Sequence, residues 1–306
     1  MKGKIGLSLG GFQRKYGDFE ALNMACRAGA DAVDIDTCDG PLWDFREPDS
    51  VYSQGDEGIE DYFSRLRQHA HRLGLTISQT HGRLRGYSGN PDQDAATLEN
   101  ARLDLLAASA LGAPVCVMHS VATGMVGLET PPDTIRKLNL RMYTDILPYA
   151  KKYGVKVAME TFGDSAQYGV IDFFGQQNEL MASYEAIAAL DDNRQWLTIC
   201  ADTGHSNKAM RFGQPTPGDV IRQLGSRVTL LHLHDNDTLT DQHKPPLSGC
   251  IDWNDVLSAL DEIHYQGVYN MELNLCCFGE TLMQDTAAFA VKIMRQMLID
   301  RYGIDA

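Results

Sequence analysis

Trp196–His205 reads W-L-T-I-C-A-D-T-G-H: an apolar run, an acid, a Thr-Gly pair and a histidine. The five residues Trp196 to Cys200 are apolar or β-branched and too few for a helix, so they predict a buried strand. Asp202 stands at its carboxyl end, and Thr203-Gly204 predicts a turn that leaves His205 three positions on. An acid and an imidazole at a strand end can bind a metal or move a proton. Alone, the same letters equally fit an Asp helix cap followed by a surface His. The pattern recurs, however. His81, His119, Glu160, Asp202 with His205, His232 with His234, and Glu272 end six successive apolar runs. Chance explains any one of them, but six in a row point to a site. Carboxylates mixed with imidazoles suit a divalent ion (Mn, Zn, Co, Fe or Mg) rather than copper or a thiolate centre. His232 and His234 lie two apart and share one strand face. Either could be a ligand, the other then holding a carboxylate or the substrate.

The elements that would position these residues alternate along the whole chain. Strands are expected at Lys4–Leu9, Ala32–Asp36, Leu75–Thr80, Pro114–His119, Val155–Glu160, Leu197–Asp202, Val228–His234 and Val268–Glu272. Helices are expected near Phe19–Ala28, Ile59–Leu73, Asp94–Leu111, Pro132–Lys152, Met181–Leu190, Pro217–Leu224, Trp253–Ile263 and Thr281–Ile299. Gly29, Gly74, Gly112 and Gly154 each close a helix before a strand. Eight strand–helix units in 306 residues predict a closed (β/α)₈ TIM barrel in a single α/β domain, 1–306. In a barrel the strand ends converge on one mouth. Long connections after strands two to five carry Trp43, Phe45, Tyr87, Phe162, Tyr168, Phe173 and Phe174. These aromatics either wall a pocket or merely cover the rim.

Lys+Arg number 27 against 41 Asp+Glu, a net charge of −14. That balance is poor for gripping a phosphate backbone and favours a small-molecule partner over nucleic acid. The seven cysteines show no C-x-x-C spacing, and Cys116 and Cys200 sit in apolar runs, as in a reducing cytoplasm. No apolar run reaches the ~18 residues of a membrane span, and the first apolar run is too short for a signal peptide.

M-E-T at 159–161, A-D-T-G-H at 201–205 and H-L-H-D-N-D at 232–237 stand in order with S-G-C-I-D-W at 248–253 and Y-N-M-E-L at 269–273. On these residues the chain resembles the xylose-isomerase-like barrel superfamily, which holds sugar isomerases and epimerases, inosose dehydratases and abasic-site endonucleases. The resemblance spans nearly the full length. It implies one divalent ion per chain held by Glu160, Asp202, His232 and Glu272, with His234 the alternative on strand seven. His232 is preferred because its H-x-x-D run ending at Asp235 is the commoner family form. The implied activity is a metal-dependent sugar or sugar phosphate isomerase or epimerase. In it the ion stabilises an enediolate, while Glu160 and Glu272 remove and return the α-proton. His205 would touch the substrate, beside Phe162 and Trp43. Members of the superfamily also form homo-oligomers.

One departure is clear. Epimerases of this kind carry a substrate-binding Arg soon after the strand-seven His, and here Thr238 and Thr240 stand there. Asp241-Gln242-His243 follows instead, resembling the D-x-H pair of the endonuclease branch, whose strand-three and strand-four histidines match His81 and His119. Two or three ions then become an alternative, and with them a phosphodiesterase acting on abasic DNA. A keto-inositol dehydratase is a further alternative, since it begins with the same proton removal. Arg83 and Arg85 form a small positive cluster that suits one phosphate or carboxylate of a small substrate, or else are solvated loop residues.

Overall fold

The computed structural model describes residues 3–37 and 50–303. Trp43 and Phe45 fall outside them. Eight parallel strands pair in sequence order: β1 Ile5–Ser8, β2 Ala32–Asp36, β3 Thr76–His81, β4 Val115–Met118, β5 Lys156–Glu160, β6 Leu197–Asp202, β7 Val228–His232 and β8 Tyr269–Met271. β8 returns to pair with β1 through Tyr269, Asn270 and Met271. At the β7–β8 seam Leu233 N donates to Asn270 O (2.8 Å) and Glu272 N to Leu233 O (3.2 Å), which closes the (β/α)₈ barrel. The outer helices are α1 Asp18–Arg27, α2 Gly55–Arg72, α3 Pro91–Leu111, α4 Pro132–Tyr153, α5 Gln177–Ala188, α6 Pro217–Leu224, α7 Trp253–Glu262 and α8 Gly279–Tyr302.

Strands covered on both faces need apolar residues at every position, which is why β4 and β6 read as continuous apolar runs. The two-residue period splits those runs between two cores. Cys116, Met118, Val157, Met159, Ile199 and Leu231 face outward into the shell shared with the helices. Val115, Val117, Ala158, Cys200 and Leu230 face inward and form a small cluster of their own in the lumen. Local chemistry sets the helix ends: Asn90 accepts from Asp92 N and Gln93 N ahead of Pro91 to start α3. Gly112 and Gly154 stop α3 and α4 in the left-handed region.

Three expectations change. Thr203-Gly204 is not a free turn but the start of a helix, Thr203–Ala209, whose cap is Asp202: its Oδ1 accepts from His205 N at 2.6 Å. Capping and burial of the histidine therefore coexist. Phe173 and Phe174 do not wall a pocket; at 2% and 1% exposure they belong to the outer core. Tyr87 is likewise buried, its hydroxyl donating to Asp145. Among the described residues, no helix is long and apolar enough to cross a membrane.

Candidate metal centre

The inward parity of the lumen continues to the mouth. Two residues beyond Val117, Ala158, Cys200 and Leu230 come His119, Glu160, Asp202 and His232, so each must point the same way as the residue below it. Gln79 and Asn270 stand in the same relation to His81 and Glu272. A register shift between Ile199 and Cys200 sets Asp202 opposite His232.

Among the described residues five groups of donors result, and three of them together hold all the strand-end residues. In the first, Glu160, Asp202, His232 and Glu272 each offer an atom within 4.8 Å of all the others. His232 Nδ1 lies 2.7 Å from Glu160 Oε1 and 3.1 Å from Glu272 Oε2. In the second, His81 and His119 present Nε2 to the other oxygen of Glu160, at 3.8 and 3.0 Å. In the third, His205, His234, Asp241 and His243 gather in the same way. There the Nε2 atoms of His205 and His243 face Asp241 Oδ2 at 3.4 and 3.2 Å. His234 Nε2 lies 3.0 Å from Asp202 Oδ1, and its ring stacks on that of His243 with centroids 3.8 Å apart. Both His232 and His234 thus face the donor cluster, in different groups. The first and third groups meet where Asp202 faces His234.

These residues fit a divalent cation. His81, His205 and His243 each donate Nδ1–H to a backbone carbonyl (Gly82, Thr161 and Glu272, all at 3.1 Å). That leaves the Nε2 lone pairs aimed at carboxylate oxygens, a repulsive pairing unless a proton or metal lies between. Glu160 Oε2 is fully buried and receives no well-directed hydrogen bond despite the nearby His119. Burial pushes the Glu160 and Glu272 carboxyls up, but His232 beside both, with His119 at Glu160 and His243 at Glu272, holds them well below their ordinary value. Burial pulls the His119 imidazole down, and Glu160 only partly offsets it.

Without metal, protons must do the cation's work. Burial draws His243 down, yet its hydrogen bond to Asp241 and the charges of Glu272 and Asp202 raise it to about 9. In the same balance Asp202, Asp241 and Glu160 hold His205 well above its usual value. A raised folded-state pKa stabilises fully below the unfolded value, ~6.5, and that stability is lost as pH climbs through the folded value. Chelator-treated protein is therefore expected to melt progressively lower between pH ~6.5 and 9. Scanning calorimetry reads this, and a flat profile over that window would show these imidazoles unpaired.

Two residues of the recurring patterns shape the site from outside it, one by packing and one by hydrogen bonds. A Cβ on Gly204 would collide with the His234 ring, so the glycine of A-D-T-G-H makes room for that imidazole. Gly204→Ala is expected to dislodge His234 from Asp202 and to cost about 1–3 kcal/mol by overpacking. Denaturant midpoints measure it, and unchanged stability would mean the helix slides without involving His234. Asp235 is no ligand: it accepts from Trp253 Nε1 (2.9 Å) and Ile251 N (3.1 Å), anchoring the S-G-C-I-D-W segment.

Residues 22–292 match the family model described as a xylose isomerase-like TIM barrel. The chain belongs to that family. Among solved structures, a D-tagatose 3-epimerase-like protein superposes with TM-score 0.73 at 20% identity, covering 97% of this chain and 99% of that one. The IOLI protein with a bound zinc atom gives 0.67 at 18% identity over 97% of each chain. Likeness at such identity carries the fold. The uncharacterized protein y4fM of Sinorhizobium fredii is 24% identical over 189 residues, 59% of this chain and 53% of its own length. The chain spans about half the length of the curated relatives it matches.

A cavity of about 250 Å³ opens over this centre, lined among others by Phe162, His205, Lys208 and the two glutamates. The Phe162 ring lies against His119 and His205, with centroids 5.1 and 4.9 Å away. Lys208 and Asp164 escaped the sequence reading. Lys208 is 3% exposed, and its Nζ lies 2.7 Å from Asp164 Oδ1 and 4.0 Å from Asp241 Oδ1. The signal existed, since Lys208 follows His205 by three and shares its helix face. The Arg83–Arg85 phosphate cluster needs correction. Arg83 is 3% exposed and donates to the carbonyls of Arg85 and His119 rather than lining the cavity. A Cβ on Gly86 would collide with the Val121 backbone, so the loop after Arg83 lies close against Val121. Arg85 is exposed and does not line the cavity either.

Proposed function

We propose that the protein is a divalent-metal-dependent isomerase or epimerase acting on a sugar or sugar phosphate by transfer of the proton α to a carbonyl. The observation that carries this is the pair Glu160 and Glu272, flanking one imidazole nitrogen beside Asp202 under a small polar cavity. Glu160, Asp202, His232 and Glu272 would hold the ion, of Mn, Zn, Co, Fe or Mg type. When bound, it would stabilise negative charge developing on the substrate oxygens. The residues of the chain do the rest. One of Glu160 and Glu272, ionised beside the bound cation, takes the α-proton. The other returns it, to the same carbon for epimerisation or to its neighbour for isomerisation. Lys208 faces the cavity as a hydrogen-bond donor and His205 Nε2 as an acceptor for hydroxyl groups, and Phe162 covers one side against water.

A second reading, a phosphodiesterase with two or three ions, is favoured by the His81/His119 and His205/His234/Asp241/His243 groups. The net charge of −14 and the burial of Arg83 weigh against it. Incubation with a panel of ketoses in deuterated water, with Mn, Co or Zn added, separates the two. Deuterium is expected at the carbon next to the carbonyl, with an epimer or isomer as product; loss of water instead would mark a dehydratase. Cleavage of an abasic duplex without sugar exchange would sink the isomerase reading.

A further inference from the structure

Below the metal-capable mouth the lumen divides unequally. β4–β7 fill their side with Val115, Val117, Ala158, Cys200 and Leu230. The other side is polar: Ser8 on β1, Asp34 on β2, Gln79 on β3 and Asn270 on β8, all buried. A register shift between Val33 and Asp34 sets Gln79, rather than Ser78, beside Asp34. Four donors converge on a single oxygen, Asp34 Oδ2: Ser8 Oγ (2.9 Å), Gln79 Nε2 (3.1 Å), His232 Nε2 (3.2 Å) and Asn270 Nδ2 (3.3 Å). Asp34 is 0% exposed, and an unpaired carboxylate there would be costly.

We propose, on the metal reading above, that Asp34 is a positioning residue: by accepting His232 Nε2–H it fixes the imidazole so that Nδ1 faces Glu160 and Glu272 as the ligand atom. His232 has two polar sides, with Nδ1 toward those glutamates and Nε2 toward Asp34 and Gln79. Gln79 Nε2, 3.1 Å away, could donate to Nε2 instead, which would put the ring proton on Nδ1 and block it. The Asp34 carboxylate decides between these tautomers, because a charged acceptor outcompetes a neutral amide and the Gln79 amide already donates to Asp34 itself. A carboxylate behind a ligating imidazole also raises the basicity of the ligand nitrogen. Asp34 thus plays toward His232 the part that backbone carbonyls play toward His81, His205 and His243.

The rival explanation is a brace, since Asp34 also ties β1, β3 and β8 together. Asp34→Asn separates the two. Its amide oxygen can replace Oδ2 while the NH₂ takes the place of Oδ1, which has no hydrogen-bond partner among the described residues, so shape survives and charge does not. Ser8→Ala removes one brace bond without touching His232. Zn and Co affinities of full-length wild type, Asp34→Asn and Ser8→Ala, measured against a chromophoric chelator, are expected to show a 10–100-fold loss for Asp34→Asn. Ser8→Ala should stay within a few-fold of wild type, and the Co visible spectrum should change only in Asp34→Asn. Equal affinities in wild type and Asp34→Asn, or equal losses in both variants, would overturn the positioning role and leave the metal reading intact. Failure of wild type to bind either ion would overturn both. Should Asp34→Asn not fold, ¹⁵N-histidine spectra of the Zn-loaded wild type decide, with His232 assigned by its absence in His232→Gln. A proton on Nε2 supports the role, and a proton on Nδ1 refutes it.

Discussion

Glu160→Gln and Glu272→Gln are each expected to lower α-proton exchange by at least about 10³-fold, with the barrel still folded. The size follows from what each carboxylate does at once. A proton-transfer group contributes on the order of 10²–10⁴ in rate, and each is also a donor in the four-residue group around His232. Glu160 has the stronger claim to a large effect. It is 1% exposed and touches His232 and His119 within 3.0 Å, so the neutral amide also leaves buried imidazoles without their counter-charge. Glu272, with a side chain 25% exposed, should tolerate the change with less loss of stability. Deuterium uptake into a converted ketose, read by proton NMR beside a melting curve, gives both quantities. Exchange retained in either variant removes that residue from proton transfer.

Much of this arrangement could be read from the sequence because it is periodic. β2 and β6 start and stop where apolar alternation and the flanking Asp place them, and α6 follows from Thr216-Pro217. The strand-end residues were legible for the same reason, since one polar letter after an apolar run announces a mouth. The layer beneath them was not. Ser8, Asp34, Gln79 and Asn270 are single polar residues inside short strands, and each takes its meaning from a partner on another strand. Loop burial was also out of reach: Arg83 resembles a solvated charge, yet it is buried and donates to the carbonyls of Arg85 and His119. Phe173 and Phe174 were misplaced because an aromatic after a long strand–helix connection can cap the mouth or turn under it. Asp172 caps the short helix that begins at Phe173, accepting from its N–H at 2.6 Å.

Stripping metal from the purified protein is expected to lower its melting temperature on the order of 5–10 °C, and restoring Zn, Mn or Co should recover it. The centre brings Glu160, Asp202, Glu272 and Asp241 together with Asp34 behind them, while Lys208 and Arg211 are engaged by Asp164. Folding the empty site must therefore either protonate several imidazoles or leave like charges facing each other. An ion present at a thousand times its dissociation constant adds about 4 kcal/mol to the folded state. The count of ions tells the readings apart. One per chain, lost together with proton exchange, matches the group around His232. Two or three would mean that one or both of the other groups, His81 with His119 and Asp241 with His205 and His243, are also filled, and would raise the phosphodiester-cleaving alternative. Elemental analysis gives the number and calorimetry the stability. A melting temperature indifferent to both chelator and metal would mean that protons alone hold these side chains together.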